Sequence, residues 1–169
     1  MIWQGICIHH SATVDSATSS WEAIRHYHIN PALNGKTIPL EEYNYFKSRG
    51  VVAGLKDPWD EIGYHYGIED VGGTLRLRIG RPLSMPGAHA RGLNKTHIGI
   101  CMIGDFDRDL PSVTRLDYLA LVIADIARNY RLEISPETIK YHRDVADRTC
   151  PGELFPPKEA LIRMVEKYL

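Results

Sequence analysis

Two short apolar runs constrain this chain most: Trp3 to His10 (WQGICIHH) and His97 to Ile103 (HIGICMI). Both are rich in β-formers and read as strands buried on both sides, inside a sheet that must be covered twice. Tyr64 to Glu69 and Thr74 to Ile79 flank Asp70-Val71-Gly72-Gly73, and in the second run Leu75, Leu77 and Ile79 alternate with Arg76 and Arg78. That pattern predicts a hairpin with one wet face. Ser19 and Glu22 have capping-box spacing, and Trp21, Ile24 and His28 recur at helical intervals up to Asn30-Pro31, which predicts a helix over 19–29. Leu116, Leu119, Ala120, Ile123, Ile126, Ala127 and Tyr130 form an apolar stripe, predicting a helix over 114–130 capped by Thr114 or Ser112. Ile139 to Tyr141 reads as a short strand, Arg143 to Pro157 as a loop, and Leu161, Met164, Val165 and Tyr168 mark a final amphipathic helix. Between 30 and 62 the breakers Gly35, Pro39, Gly50, Gly54 and Pro58 leave poor periodicity, read as an elaborated surface loop with a short helix at Leu40 to Lys47. The order predicts an α/β fold: a single domain with a central mixed β-sheet of about five strands flanked by helices.

With 169 residues, 44% of them apolar, the chain suits one hydrophobic core and argues against disorder. A net charge of -1 is too balanced to draw it onto a polyanion, so no nucleic-acid partner is expected. No run of 18 apolar residues exists, and the N-terminus lacks a basic segment followed by an apolar one, so no membrane span and no leader are expected. The expectation is a monomer, cytoplasmic when synthesised. Cys7, Cys101 and Cys150 are an odd set without CxxC spacing, which argues against a disulfide scaffold and a four-cysteine zinc site.

Chemistry is sought at two places. His9-His10 ends the first strand; His142 leaves the last short strand, with Cys150 at the far end of its loop. Two imidazoles and one thiolate suit a zinc site that keeps an open position. No short spacing joins His9 to the others, and the alternative is a pair of hydrogen-bonded structural histidines with a buried cysteine as a small hydrophobe. Adjacent strand residues point to opposite faces, so His9 and His10 cannot both be ligands. Cys7 and Cys101 lie inside apolar strands and read as inert core thiols. His26, His28, His65 and His97 have no partner visible at this level.

The strings IHHSAT, GYHYGIEDVGGTL, GAHARGLN, THIGICMIGDFD and YHRDVADRTCPG, in this order, resemble the zinc-dependent N-acetylmuramoyl-L-alanine amidase family, type 2, which takes in phage lysozyme-like endolysins and the peptidoglycan recognition proteins. The resemblance covers most of the chain and makes residues 1–169 one amidase domain with an insertion at about 30–62. It implies Zn2+ as cofactor, held by His9, His142 and Cys150, with Tyr64 and Arg148 as catalytic residues; His89, in GAHARGLN, either lines the substrate groove or pins its loop by a backbone hydrogen bond. Arg148 departs from the lysine of the phage enzymes: it can steady an oxyanion but cannot give up a proton. Asp144 is either an indirect partner of a ligand or a surface neighbour of Arg143.

The implied reaction is hydrolysis of the amide between N-acetylmuramic acid and the L-alanine of the stem peptide, on peptidoglycan or its muropeptide fragments, by a phage or prophage endolysin. A wall-fragment recycling amidase and a non-catalytic peptidoglycan-binding module are the alternatives; the latter typically lacks the cysteine that Cys150 supplies. A phage member of the family also inhibits an RNA polymerase, and no residue here argues for that partner.

Overall fold

The computed structural model describes residues 1–13 and 20–169. Its centre is a sheet of β1 (Gly5–His10), β5 (Tyr66–Val71), β6 (Thr74–Ile79), β7 (His97–Met102) and β8 (Ile139–Tyr141), ordered β6-β5-β7-β1-β8. Only β6 runs antiparallel to its neighbour; β5, β7, β1 and β8 are parallel. The sheet is therefore mixed, as expected. The hairpin turn is tighter than the sequence suggested, because β5 continues through Val71 and only Gly72 and Gly73 remain, both at positive φ. Two such residues in succession suit glycine, and the turn matches the strand twist.

Every residue of β1 and β7 is buried. On one face Ile6, Ile8, Ile98, Ile100 and Met102 pack under α3 (Val113–Tyr130) and α4 (Lys158–Glu166). Ser112 caps α3, its side chain accepting from Arg115 N. On the other face Cys101 and Ile103 meet Trp21 of α1 (Trp21–Ile29), with Ile62 and Tyr64. Full burial explains the near-continuous apolar reading of these strands. Helix α1 is capped by Ser20, whose side chain accepts from Ala23 N at 3.1 Å; Ser19, the cap expected from the sequence, lies outside the described residues. The buried Glu69 carboxylate accepts from Trp21 N at 2.9 Å and from Arg78 Nε at 2.6 Å, tying α1 to the hairpin.

Residues 30–62 hold more regular structure than a loop. Strands β2 (Ala32–Leu33), β3 (Lys36–Thr37) and β4 (Leu55–Lys56) form a small separate sheet, and α2 (Leu40–Ser48) covers the expected short helix. Two-residue strands are below what periodicity can reveal. Lys56 ties this unit to α1: its Nζ donates to the carbonyls of His28 (2.9 Å), Asn30 (2.9 Å) and Asp57 (3.1 Å). It also lies over the rings of Tyr27 and Trp59. Among the described residues no helix is long and apolar enough to cross a membrane.

Candidate metal centre

The site lies at the carboxyl ends of the parallel strands, where open α/β sheets present ligands. Register does most of the placement. Ile8 pairs with Tyr141 across β1 and β8, and both belong to the core under α3 and α4. The next residues, His9 and His142, therefore turn to the opposite face, with ring centroids 4.7 Å apart. His10 turns the other way, and its Nδ1 accepts from Phe106 N at 3.1 Å.

Cys150 arrives on a loop held from several sides. A short 3-10 turn at His142–Asp144 opens it, and Arg143 N donates to the Cys150 carbonyl at 2.9 Å. Asp107 accepts from Thr149 Oγ1 (2.9 Å) and Glu153 N (2.8 Å), fastening the loop to the segment after β7. Asp144 serves this loop's frame: its Oδ2 accepts from Tyr141 N (2.9 Å), capping the turn that carries His142, and from Lys158 Nζ (2.6 Å).

His9, His142 and Cys150 bring their donor atoms within 4.8 Å of one another. Cys150 Sγ is 3.7 Å from His9 Nδ1. Zinc bonds of about 2.0–2.1 Å to nitrogen and about 2.3 Å to sulfur, at a tetrahedral angle, set an N···S separation of about 3.6 Å. The residues fit the group. Two other clusters, Cys7/His9/His89 and His10/Asp105/Asp107, also have donor atoms within 4.8 Å of one another. Their donors are committed elsewhere: His89 to His9 and the His97 carbonyl, His10 to Phe106 N, and Asp107 to Thr149 and Glu153.

Burial keeps the centre neutral. It drives the His9 imidazole well below its ordinary value, and it lowers His142, beside the Arg148 charge, in the same direction. Burial pushes the Cys150 thiol up to about 11, against a hydrogen bond from the His10 backbone and the nearby Arg148 charge. Cys150 and His9 are thus not poised as a thiolate–imidazolium nucleophile. A bound dication would reverse the balance, since a coordinating thiol loses its proton outright.

Tyr64 stands beside His9, ring centroids 5.2 Å apart, and packs against the buried group of Trp21, Ile62, Cys101 and Ile103. Burial raises the Tyr64 pKa well above its usual value, so the phenol stays protonated. Cys101 is fully buried in the core, as its place in an apolar strand predicted, and lies opposite His9 across β1 and β7 on the face that Tyr64 packs against. Arg148 is exposed on the rim of a cavity of about 510 Å³ lined also by Ser11, Tyr64, His142 and Cys150. His89 borders an adjoining cavity, but its ring is turned inward and both nitrogens are engaged. Neither ring nitrogen is free to meet a substrate. A larger groove of about 580 Å³ between β6 and α3 contains none of the histidines or cysteines.

The cleft wall next to Tyr64 is aromatic. The His28 ring lies tilted against Trp59 (centroids 4.5 Å apart) and Tyr64 (5.8 Å), and its Nδ1 accepts from Gly63 N at 3.2 Å. Burial first, then the charges of Lys56 and Arg81, lower its pKa from 6.5 to about 4. Between those values the unfolded chain holds a proton that the folded one refuses, so stability is greatest above the window and falls as pH drops through it. His28→Asn keeps an acceptor for Gly63 N and cannot titrate. Denaturant unfolding should show wild type losing about 1–2 kcal/mol more than His28→Asn between neutral pH and about pH 4, the figure being discounted for partial exposure. Parallel profiles would remove His28 as the source.

The fold is shared with N-acetylmuramoyl-L-alanine amidase LysC from Clostridium intestinale URNW: TM-score 0.64 and 23% identity, covering 98% of this chain and 87% of that one. The sequence profile of the N-acetylmuramoyl-L-alanine amidase family matches residues 1–153, and the chain belongs to that family. It is 37% identical over 100 residues to Peptidoglycan-recognition protein LB of Drosophila melanogaster, spanning 58% of this chain and 40% of that protein. To the Endolysin of Klebsiella phage KP32 it is 26% identical over 95 residues, 56% of this chain and 61% of the phage protein. The match thus spans less than two thirds of either relative's length.

Proposed function

We propose that this protein is a zinc-dependent N-acetylmuramoyl-L-alanine amidase, hydrolysing the amide between N-acetylmuramic acid and the L-alanine of the stem peptide in peptidoglycan or its fragments. The observation that carries the reading is the donor set: Cys150 Sγ lies 3.7 Å from His9 Nδ1, and His142 completes a neutral, mixed N/S cluster. His9, His142 and Cys150 are the residues to hold zinc. When bound, zinc supplies Lewis acidity, polarising a carbonyl and making a water nucleophile available near neutral pH.

The chain's own residues do the rest. Arg148 brings a permanent cation to the cavity rim, where charge develops on the carbonyl oxygen as the amide is attacked, and it steadies that charge without exchanging a proton. Tyr64 keeps its proton and stands beside His9, so it acts as a hydrogen-bond donor that orients the reacting groups. The phage endolysin among its relatives supports a lytic role on the wall. Likeness to a peptidoglycan recognition protein supports the second reading, a module that binds without cutting; the complete ligand set favours the enzyme.

Incubation with purified peptidoglycan, with and without chelator, tests the proposal. Free L-alanine amino groups should accumulate without new reducing sugar ends, stop with chelator and return on adding zinc. A zinc-loaded protein that releases nothing while sedimenting with the wall would be a binder instead.

A further inference from the structure

We propose that His89 is a positioning residue that decides which nitrogen of His9 faces Cys150, an inference that rests on the metal-centre reading above. The chain of contacts has one consistent direction. The His97 carbonyl can only accept, so His89 Nε2, 3.1 Å away, carries its ring's proton. In a neutral ring the other nitrogen, His89 Nδ1, is then an acceptor. It lies 3.0 Å from His9 Nε2, which must therefore carry the proton of His9. The lone pair of His9 is left on Nδ1, the atom 3.7 Å from Cys150 Sγ. A backbone carbonyl in β7 thereby fixes the tautomer of a residue in β1, through one intervening imidazole. Without the relay His9 is free to place a proton where a ligand needs a lone pair.

The surroundings hold His89 to this task. Asn94 Oδ1 accepts from both His89 N and Ala90 N at 2.8 Å, closing the loop that carries the ring. The ring passes over two glycines that leave it room: a Cβ on Gly87 or Gly99 would stand 2.3 or 2.5 Å from its Cδ2. The GAHARGLN string thus encodes a seat for one ring: Gly87 clears its space, Asn94 closes its loop, and His89 fills it.

Two isosteres separate positioning from bulk. The Oδ1 of His89→Asn falls near the place of His89 Nδ1 and keeps an acceptor for His9. The amide nitrogen of His89→Gln falls near the place of Nε2, keeps the donor to the His97 carbonyl and leaves His9 without an acceptor. In metal-free protein with 15N-labelled histidine, NMR should find the Nε2–H form of His9 in wild type and His89→Asn, and a mixed or Nδ1–H form in His89→Gln. Competition against a chelator should show zinc affinity about 10- to 100-fold weaker in His89→Gln and near wild type in His89→Asn. Gly99→Ala, which displaces the ring without changing it, should weaken zinc in the same way as His89→Gln. The same His9 tautomer in all variants, or equal loss of zinc in the Asn and Gln variants, overturns the relay. A wild type that takes up no zinc but shows the Nε2–H form overturns the metal-centre reading and the purpose given to the relay, leaving the tautomer pattern as measured.

Discussion

Cys150→Ser should leave a folded protein that binds zinc at least about 100-fold more weakly and releases almost no L-alanine ends from peptidoglycan. Loss of an indirect partner of a metal ligand already costs about 10- to 100-fold in affinity or activity, so loss of a direct ligand sets the larger figure. Serine is nearly isosteric, but its hydroxyl is not a thiolate and cannot take the third place beside His9 and His142. The loop does not depend on the sulfur: Arg143 N bonds the Cys150 carbonyl, and Asp107 holds the residues on either side. Melting separates the two effects. Metal-free wild type and variant should melt within about 2 °C of each other. Zinc at about 100 times its Kd should raise only the wild type, by about 2.7 kcal/mol or about 5–10 °C. A variant that keeps wild-type zinc uptake and hydrolysis would remove Cys150 from the centre.

Gly152→Ala should be the most damaging substitution in the same loop, lowering Tm by about 10 °C and emptying the centre of zinc at concentrations that saturate wild type. Gly152 sits at φ 119°, a conformation that side chains disfavour, and a Cβ there would stand 2.4 Å from the Phe106 carbonyl carbon and 2.5 Å from its oxygen. Backbone strain of about 1–3 kcal/mol adds to overpacking of about 1–3 kcal/mol, and the obstacle is main chain, which no rotamer change relieves. At about 2–4 °C per kcal/mol for a chain of this size, the sum gives the stated shift. The loop can yield only by moving away from Phe106, and Cys150 is two residues upstream. Calorimetry and zinc titration report the two consequences separately; unchanged values for both would mean that the loop relaxes freely.

Much of this architecture was legible in local pattern. The central strands announced themselves because β1 and β7 are buried on both faces, which leaves an apolar run and no alternation. The stripe from Leu116 to Tyr130 identified α3 because burial on one side of a helix repeats every three or four residues. The small sheet within 30–62 was not legible, since two-residue strands have no period. The bond from Lys158 to Asp144 was not legible, since the two become neighbours only when α4 folds back.

At the proposed metal centre the division is sharper. Residue types, strand ends and the opposite facing of His9 and His10 are properties of the chain, since the alternation of side chains along a strand is local. Which nitrogen of His9 meets Cys150 and why His89 turns inward depend on hydrogen bonds between residues far apart in sequence. Periodicity selects a face. Only the packed sheet brings the His97 carbonyl, His89, His9 and Cys150 into one line, because a proton's place on an imidazole is decided by the partner at its other nitrogen.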